Sequence, residues 1–234
     1  RIGQDVTVIT PAEKFSCLDS SNYTVQPGNR GDMAALFSEL RKYKKVPNSI
    51  LHLWSTKPSE AIGLRKGTEE QEMDYGFYSI LQLVQVLSED MPAFPVEVIV
   101  VTNGAQSVTG NEALRPYRSA VQGLCRIIPQ ELDRMRCRTI DIQLSNQTGS
   151  QEAVAEQLLT EINVSTSEPV VALRQNGRWV QVFEPVVIDE PNPPDQYLRE
   201  QGVYLITGGF GKIGLLLSRY LAQSVGARLI LIGR

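Results

Sequence analysis

Residues 202–234 constrain the fold of this 234-residue chain most strongly, because they contain a strand, a glycine-rich turn, a helix and a second strand in close succession. The run VYLIT at 203–207 is typical of a strand that is buried on both faces of a parallel sheet. From Ile213 onward, apolar residues recur with helical spacing, Gly226 ends the predicted helix, and RLILIG begins a second strand. A parallel β-α-β unit is therefore predicted here.

A glycine-rich turn joins the predicted strand to the predicted helix. Gly209, Gly211 and Gly214 have the G-x-G-x-x-G spacing, which lets the backbone turn sharply, approach phosphate groups and pack the helix on the strand. The amides at the start of the helix, and the positive end of its dipole, would face a pyrophosphate. The motif alone is weak evidence, but the surrounding strand, helix and second strand favour nucleotide binding over a purely structural turn.

Arg234 indicates which nucleotide this turn would accept. It lies about twenty residues past the last glycine, where NAD-dependent enzymes usually carry an acidic residue that holds the ribose hydroxyls. A guanidinium at this position can pair with a 2′-phosphate, which a carboxylate would repel, so NADP is favoured over NAD. A solvated surface arginine is the alternative. A methyltransferase is disfavoured, because Thr207 and Arg234 stand where acidic residues would be expected.

Residues 1–190 alternate between short β-branched segments and amphipathic segments, which is the pattern of strands interleaved with helices. The predicted strands are 6–10, 23–26, 49–54, 96–102 and 138–143. The predicted helices are 32–44, 75–88, a helix from Pro116 through Ile128, and a helix from Ala155 through Ile162. The sequence therefore predicts an α/β domain in which helices pack on a sheet.

Residues 169–201 break this alternation. Asn176-Gly177 joins two stretches of alternating polarity and predicts a β-hairpin, because both residues tolerate positive φ. The prolines that follow in 185–194 remove backbone donors that a helix or a central strand would need. We therefore interpret 185–201 as a stiff linker or boundary between two domains.

Composition disfavours several classes of partner. The formal net charge is −3 and the two signs are mixed along the chain, so neither nucleic acid nor an anionic membrane is a predicted partner. The apolar runs fall far short of the ~20 residues that span a bilayer. Three cysteines without C-x-x-C spacing favour a reducing, cytoplasmic location. The chain begins with Arg1 and shows no signal-peptide pattern, so we expect it to be part of a longer protein.

The other residues that could carry chemistry have simpler interpretations. His52 is the only histidine and lies in an apolar strand without a Cys/His cluster, so a packed core residue is predicted and no metal site is assigned. Trp54 and Trp179 are predicted to anchor the sheet. Gly104 and Gly110 follow a buried strand but lack the phosphate-binding spacing, so a structural turn is predicted there.

Several segments of the chain resemble the ketoreductase region of modular polyketide synthases, which belong to the short-chain dehydrogenase/reductase superfamily. These segments are ILHLWS (50–55), VIVVTNGAQSV (98–108), PYRSAVQGLCRIIPQEL (116–132), CRTIDIQ (137–143), VALRQNGRWV (171–180), YLITGGFGKIG (204–214) and the closing LILIGR. The resemblance implies that residues 1–190 form a structural subdomain, a truncated Rossmann-like parallel sheet flanked by helices and without cofactor. Residues 191–234 would contain a linker and the first β-α-β unit of a second Rossmann subdomain, which binds NADPH.

The resemblance also implies a cofactor site. The T-G-G-x-G-x-x-G turn of the family is matched in this chain by Thr207, Gly208, Gly209, Phe210, Gly211, Lys212, Ile213 and Gly214. Lys212 is bulkier than the small residue that often occupies its position. Arg234 matches the arginine with which the family selects NADPH.

The implied activity is reduction of a β-ketoacyl thioester, tethered to an acyl carrier protein, to a β-hydroxyacyl thioester. The expected partners are that carrier protein and other domains of the same synthase. The family's catalytic serine, tyrosine and lysine lie downstream of the first β-α-β unit and have no counterpart here. No catalytic residue is therefore assigned, and the chain alone is expected to be inactive.

Two other functions remain open at this stage. A non-catalytic structural module, a pseudo-ketoreductase that orders the neighbouring domains of a megasynthase, is the main alternative. The intact glycine turn argues against it, because a pure scaffold has no need for phosphate-binding geometry. A stand-alone nucleotide-sensing domain is disfavoured by the family-like first 190 residues.

Overall fold

The predicted alternation of strands and helices is present in the computed structural model, which describes residues 5–56, 68–144, 150–164, 166, 168–175, 177–187 and 198–233. Contacts divide the chain into an N-terminal unit, Arg1–Val182, and a C-terminal unit, Phe183–Arg234. Most of the predicted linker and Asn176 lie outside the described residues. No helix among the described ranges is both long and apolar enough to cross a membrane.

The bounds of the elements follow the sequence pattern closely. The strands are β1 (Val8–Pro11), β2 (Ser16–Cys17), β3 (Asn22–Val25), β4 (Ser49–Ser55), β5 (Val96–Asn103), β6 (Met135–Ile142), β7 (Val170–Arg174), β8 (Gly177–Val180), β9 (Val203–Thr207) and β10 (Arg228–Ile232). The α-helices are α1 (Arg30–Lys42), α2 (Thr68–Met73), α3 (Ser79–Glu89), α4 (Pro116–Glu131), α5 (Ser150–Ile162) and α6 (Lys212–Val225). The predicted strands and helices are confirmed, except that the first residues of the predicted helix 75–88 form a π turn, and β2 and α2 were not predicted.

A five-stranded sheet organises the N-terminal unit, in the order β4-β5-β6-β7-β8. The first four strands are parallel, and β8 pairs antiparallel with β7 through a hairpin that brings Arg174 opposite Gly177. The hairpin predicted from Asn176-Gly177 is therefore confirmed. A second sheet, β1-β3-β2, pairs β1 parallel and β2 antiparallel to β3.

The core of the N-terminal unit lies on both faces of β5, because successive side chains of a strand point to opposite sides. Val96, Val98 and Val100 pack with residues of α1, α3 and α4. Ile99 and Val101 pack in a second cluster, which α5 borders. Burial on both faces explains why β5 is an almost continuous run of valine and isoleucine.

One π-helical turn, Asp74–Tyr78, links α2 to α3. A π turn inserts one extra residue into an α-helix and shifts the faces of the flanking segments against each other. Gly76 is buried in this turn, and a Cβ at this position would lie 3.0 Å from Ser55 Oγ. The sequence pattern predicted an uninterrupted helix over 75–88, so the π turn is a departure from it.

Some predicted packing roles are wrong. Trp54 packs against the core as predicted, but Trp179 on the edge strand β8 is 49% exposed and does not anchor the sheet. The apolar stripe predicted for the third helix includes Ile127, which is also half exposed on α4. An edge strand and the outer side of a helix have no neighbour to cover them, and periodicity alone does not identify which side is outer.

The C-terminal unit is a parallel β-α-β unit, as predicted, but β9 is not buried on both faces, because Val203 and Leu205 are more than half exposed. β9 pairs with β10 from Val203 opposite Arg228 to Thr207 opposite Ile232. Gly226 ends α6 in the left-handed conformation, with φ of +58°. The buried residues of α6 are Gly214, Ser218 and Val225, whereas the leucines that give α6 its helical periodicity are largely exposed.

His52 lies in the core of the N-terminal unit, as predicted. Its ring is 5.1 Å from the ring of Trp54, and its Nε2 is 2.8 Å from Ser79 Oγ. Its Nδ1 is buried and has no hydrogen-bond partner among the described residues. Burial lowers the pKa of His52 from 6.5 to about 4, because a charged imidazolium is poorly solvated there.

This burial makes the stability of the N-terminal unit depend on pH. Between pH 6.5 and pH 4 the unfolded chain binds a proton at His52 that the folded protein excludes, so the free energy of unfolding falls as the pH falls. The expected loss is up to about 3 kcal/mol. Native-state hydrogen exchange of β4 at pH 7, 5.5 and 4 would measure it. His52→Gln should flatten the pH dependence, and an equally steep loss in that variant would contradict the assignment.

Candidate functional site

The glycine-rich turn follows β9 directly and begins α6. Gly208 has φ of +71°, a conformation that favours glycine. The amide of Gly209 donates to the carbonyl of Ile232 at 2.9 Å, and the amide of Gly211 donates to the carbonyl of Gly208 at 2.9 Å. The turn is therefore fixed both to itself and to the end of β10.

Two of the motif glycines leave no room for a side chain. A Cβ at Gly209 would lie 2.9 Å from Cβ of Leu231 and 3.0 Å from the carbonyl oxygen of Ile206. A Cβ at Gly214 would lie 2.7 Å from Cα of Gly209 and would also collide with the carbonyl oxygen of Gly208. Gly209 therefore packs the turn on the neighbouring strand, and Gly214 packs the start of the helix closely on the turn, which is the kind of close helix packing that the motif assigns to its last glycine.

The N-terminus of α6 lies at the surface and is suited to an anion. Gly211 is the N-cap residue and has no side chain with which to bind the first amides of the helix. Those amides lack partners within the helix, and they carry the positive end of the helix dipole. The first turn contains no acidic residue, and Lys212 is exposed there. A cation at a helix N-terminus is unfavourable unless an anion is bound nearby, so the local charge favours an anionic ligand.

The structure brings most of the predicted site residues together. Thr207 through Gly214 form one continuous strand end, turn and helix start, in which Thr207, Gly208, Phe210 and Ile213 are exposed. Arg234 lies outside the described residues, so its predicted contact with a 2′-phosphate stays a prediction.

Gly233 is a residue of this site that the motif did not identify. A Cβ at Gly233 would lie 2.8 Å from Cδ2 of Phe210, so the ring of Phe210 packs on bare backbone at the end of β10. The position of Gly233 directly before Arg234, at the end of an apolar strand, was the only sequence signal. Ser218 donates to the carbonyl of Gly214 at 2.6 Å, and its small side chain keeps this face of α6 close to the strands.

The N-terminal unit has a different arrangement at the corresponding edge of its sheet. There the loop after β5 is bound by carboxylates of the protein itself, because Asp141 accepts from the amides of Ala105 and Gln106 at 2.9 and 3.2 Å. Asp141 also pairs with Arg174 at 2.6 Å, and both side chains are almost fully buried. The turn at Gly104 and Gly110 is thus held by internal contacts, as a structural turn requires. Within the described ranges, no three His, Cys, Asp or Glu residues are placed to hold a metal ion.

Comparison with known proteins finds one matching family model and several similar polyketide synthase polypeptides. Residues 1–161 match the family model described as beta-ketoacyl synthase-like, N-terminal. One polypeptide of the phenolphthiocerol/phthiocerol polyketide synthase of Mycobacterium tuberculosis is 28% identical over 171 residues, 72% of this chain and 9% of that protein. Another polypeptide of the same synthase is 28% identical over 135 residues, 58% of this chain and 7% of that protein. The chain therefore spans less than a tenth of these relatives.

Solved structures identify the fold. A multidomain structure described as the adenylation, ketoreductase and pseudo Asub domains of a keto acid-selecting NRPS module matches 100% of this chain and 19% of its own, with a TM-score of 0.82 and 26% identity. An N-terminal ketoreductase from the macrolactin assembly line shares the fold, with a TM-score of 0.66 at 18% identity over 97% of this chain and 43% of its own. The family model takes its name from a different synthase activity, whereas the parallel sheet of the N-terminal unit matches the ketoreductases. The chain belongs to the beta-ketoacyl synthase-like, N-terminal family, and it is similar to the polyketide synthase polypeptides and to the ketoreductase-containing structures named above.

Proposed function

We propose that the full-length protein reduces β-ketoacyl thioesters on an acyl carrier protein to β-hydroxyacyl thioesters with NADPH. This chain would contribute the scaffold and the first part of the cofactor site. The observation that carries the proposal is the close packing at Gly209 and Gly214. At these positions the turn carries no side chains, so a ligand can approach its backbone at the N-terminus of α6. A scaffold alone would not need that geometry.

The residues of the turn fit a dinucleotide. Gly208, Gly209 and Gly211 let the backbone approach a pyrophosphate, and the first amides of α6 would bind its oxygens. The exposed ammonium of Lys212 would add a positive charge beside them. NADPH would supply the hydride that reduces the β-carbonyl. For the choice of NADPH over NADH we propose Arg234, which would pair with the 2′-phosphate.

The two parts of the chain would have different roles, one structural and one in cofactor binding. We propose residues 1–190 as the structural subdomain and residues 191–234 as the linker and the beginning of the cofactor-binding subdomain. The contact boundary between Val182 and Phe183 is compatible with this division. The carboxylates that close the edge of the N-terminal sheet support a structural role for that unit. This chain alone is expected to be inactive, because it carries no counterpart of the catalytic serine, tyrosine and lysine.

The proposal is tested by incubating the full-length protein with NADPH and a β-ketoacyl thioester of its carrier protein. We expect NADPH oxidation together with formation of the β-hydroxyacyl product, detected by mass spectrometry. We expect Arg234→Leu to lower the preference for NADPH over NADH about tenfold or more, because a charge-assisted pair to the 2′-phosphate is lost. The carrier protein without its ketoacyl group is the control.

Two results would contradict the proposal. Binding of NADPH without turnover would favour the non-catalytic pseudo-ketoreductase, in which the fold orders neighbouring domains. Equal use of NADH and NADPH by the unchanged protein would remove the role proposed for Arg234.

A further inference from the structure

The carboxylate of Glu112 is buried in the loop between β5 and α4 and is bound by the backbone of that loop. Its Oε1 accepts from the amides of Val108 and Thr109 at 3.1 and 2.8 Å and from Thr109 Oγ1 at 3.1 Å. Its Oε2 accepts from the amide of Gly110 at 3.0 Å. Only 4% of the side chain is exposed. Three consecutive amides therefore converge on one anion.

A buried guanidinium completes the set of donors around Glu112. Arg174 Nε lies 3.2 Å from Glu112 Oε1, and the side chain of Arg174 is 3% exposed. The other nitrogens of Arg174 bind the carboxylate and carbonyl of Asp141 and the carbonyl of Gln106, which fixes the guanidinium in place. Consecutive amides, a hydroxyl and an arginine are the donors from which proteins build oxyanion sites.

The donors around Glu112 lie at one edge of the five-stranded sheet. Asp141 lies near the carboxyl end of β6 and Arg174 ends β7, at the edge of a parallel sheet where open α/β proteins bind ligands. The loop is closed over this edge by a hydrogen bond of 2.7 Å from the amide of Arg115 to the carbonyl of Gly104. Gly104 has φ of +80°, and a Cβ there would lie 2.7 Å from the carbonyl oxygen of Ala113.

We propose that the amides of residues 108–110, Thr109 Oγ1 and Arg174 form an oxyanion site that the protein fills with its own Glu112 carboxylate. The site takes a small carboxylate when that of Glu112 is removed. Glu112 thus acts as an internal ligand of this site.

The charge state of Glu112 agrees with this assignment. Hydrogen bonds from the backbone, above all from the amide of Thr109, lower the pKa of Glu112 from 4.5 to about 2. The side chain therefore remains an anion at neutral pH, where an exogenous carboxylate would compete with it.

The test compares Glu112→Ala with the unchanged full-length protein by hydrogen-exchange mass spectrometry at pH 7. Peptides that cover residues 106–113 should exchange about tenfold faster or more in the variant, because their amides lose a charged acceptor. Acetate should restore their protection saturably, and chloride at equal ionic strength should not. Glu131→Ala is the matched control, since Glu131 is exposed at the end of α4. Glu131→Ala should leave the exchange rates of residues 106–113 unchanged, both with and without acetate.

The remaining outcomes decide against the proposal. Unchanged exchange in Glu112→Ala, or no specific effect of acetate, would overturn it. If Glu112→Ala also loses protection in β5 and β6, Glu112→Gln serves as a second variant, because glutamine keeps the shape of the side chain and removes its charge. Glu112→Gln should then speed hydrogen exchange in residues 106–113 only. Full protection of the loop in Glu112→Gln, or loss of the whole sheet in both variants, would also overturn the proposal, because Glu112 would then not fill a separable site.

Discussion

Replacing Gly214 by alanine is expected to lower the affinity of the full-length protein for NADPH by about 100-fold. The added Cβ would lie 2.7 Å from Cα of Gly209, and neither backbone can yield as a flexible side chain would. The start of α6 must therefore move away from the turn by the better part of an ångström. A hydrogen bond to a charged group is worth about 1.5–3 kcal/mol, so weakening the bonds from these amides to the phosphates should lower the affinity by about 100-fold.

Fluorescence titration with NADPH would measure the loss, and Gly123→Ala is its matched control. Gly123 also lies within a helix, but a Cβ there meets nothing within 4 Å. Alanine should therefore be tolerated at Gly123 and should leave NADPH affinity unchanged. An unchanged affinity in Gly214→Ala would show that the turn does not contact the cofactor.

The second large effect is expected at Asp141. Replacing Asp141 by alanine leaves the buried guanidinium of Arg174 without the partner that lies 2.6 Å away. It also removes the acceptor of Thr102 Oγ1 and of the amide of Ala105. Breaking one side of a buried ion pair costs about 3–5 kcal/mol. We expect the free energy of unfolding of the N-terminal unit to fall by that amount, measured by native-state hydrogen exchange of β5 and β6.

A double variant separates the ion pair from the other contacts of Asp141. Asp141→Ala combined with Arg174→Met removes both charges and should be less destabilising than the sum of the two single changes. A decrease in the free energy of unfolding that equals this sum would show that the two side chains act independently. Arg174→Met alone provides the second edge of this cycle.

The sequence predicted the features that depend on neighbours along the chain. β5 was identified from its run of β-branched residues, and the start of α4 from Pro116. The glycine turn was predicted in full, because the strand, the turn and the start of the helix are contiguous. The contacts of the turn with Leu231, Ile232 and Gly233 of the second strand segment were not predicted.

Features that depend on distant residues were not predicted. Glu112 and Arg174 are 62 positions apart, and only the folded sheet places the guanidinium beside the loop. The exposure of Trp179 follows from the edge position of β8, which its own alternation does not reveal. Gly233 was missed for the same reason, since its close contact is with Phe210 in a different element.

The π turn at Asp74–Tyr78 determines the direction in which the side chains of α2 face around the helix axis. Glu72 holds Arg118 with two hydrogen bonds, from Nε at 2.6 Å and from Nη2 at 2.8 Å, and Arg118 also donates to the carbonyl of Asn103 at the end of β5. Each residue of an α-helix rotates the chain by about 100°. Without the extra residue of the π turn, Glu72 would be rotated by about that angle away from Arg118. A single inserted residue therefore aligns a carboxylate with the end of a strand more than thirty positions away in the chain.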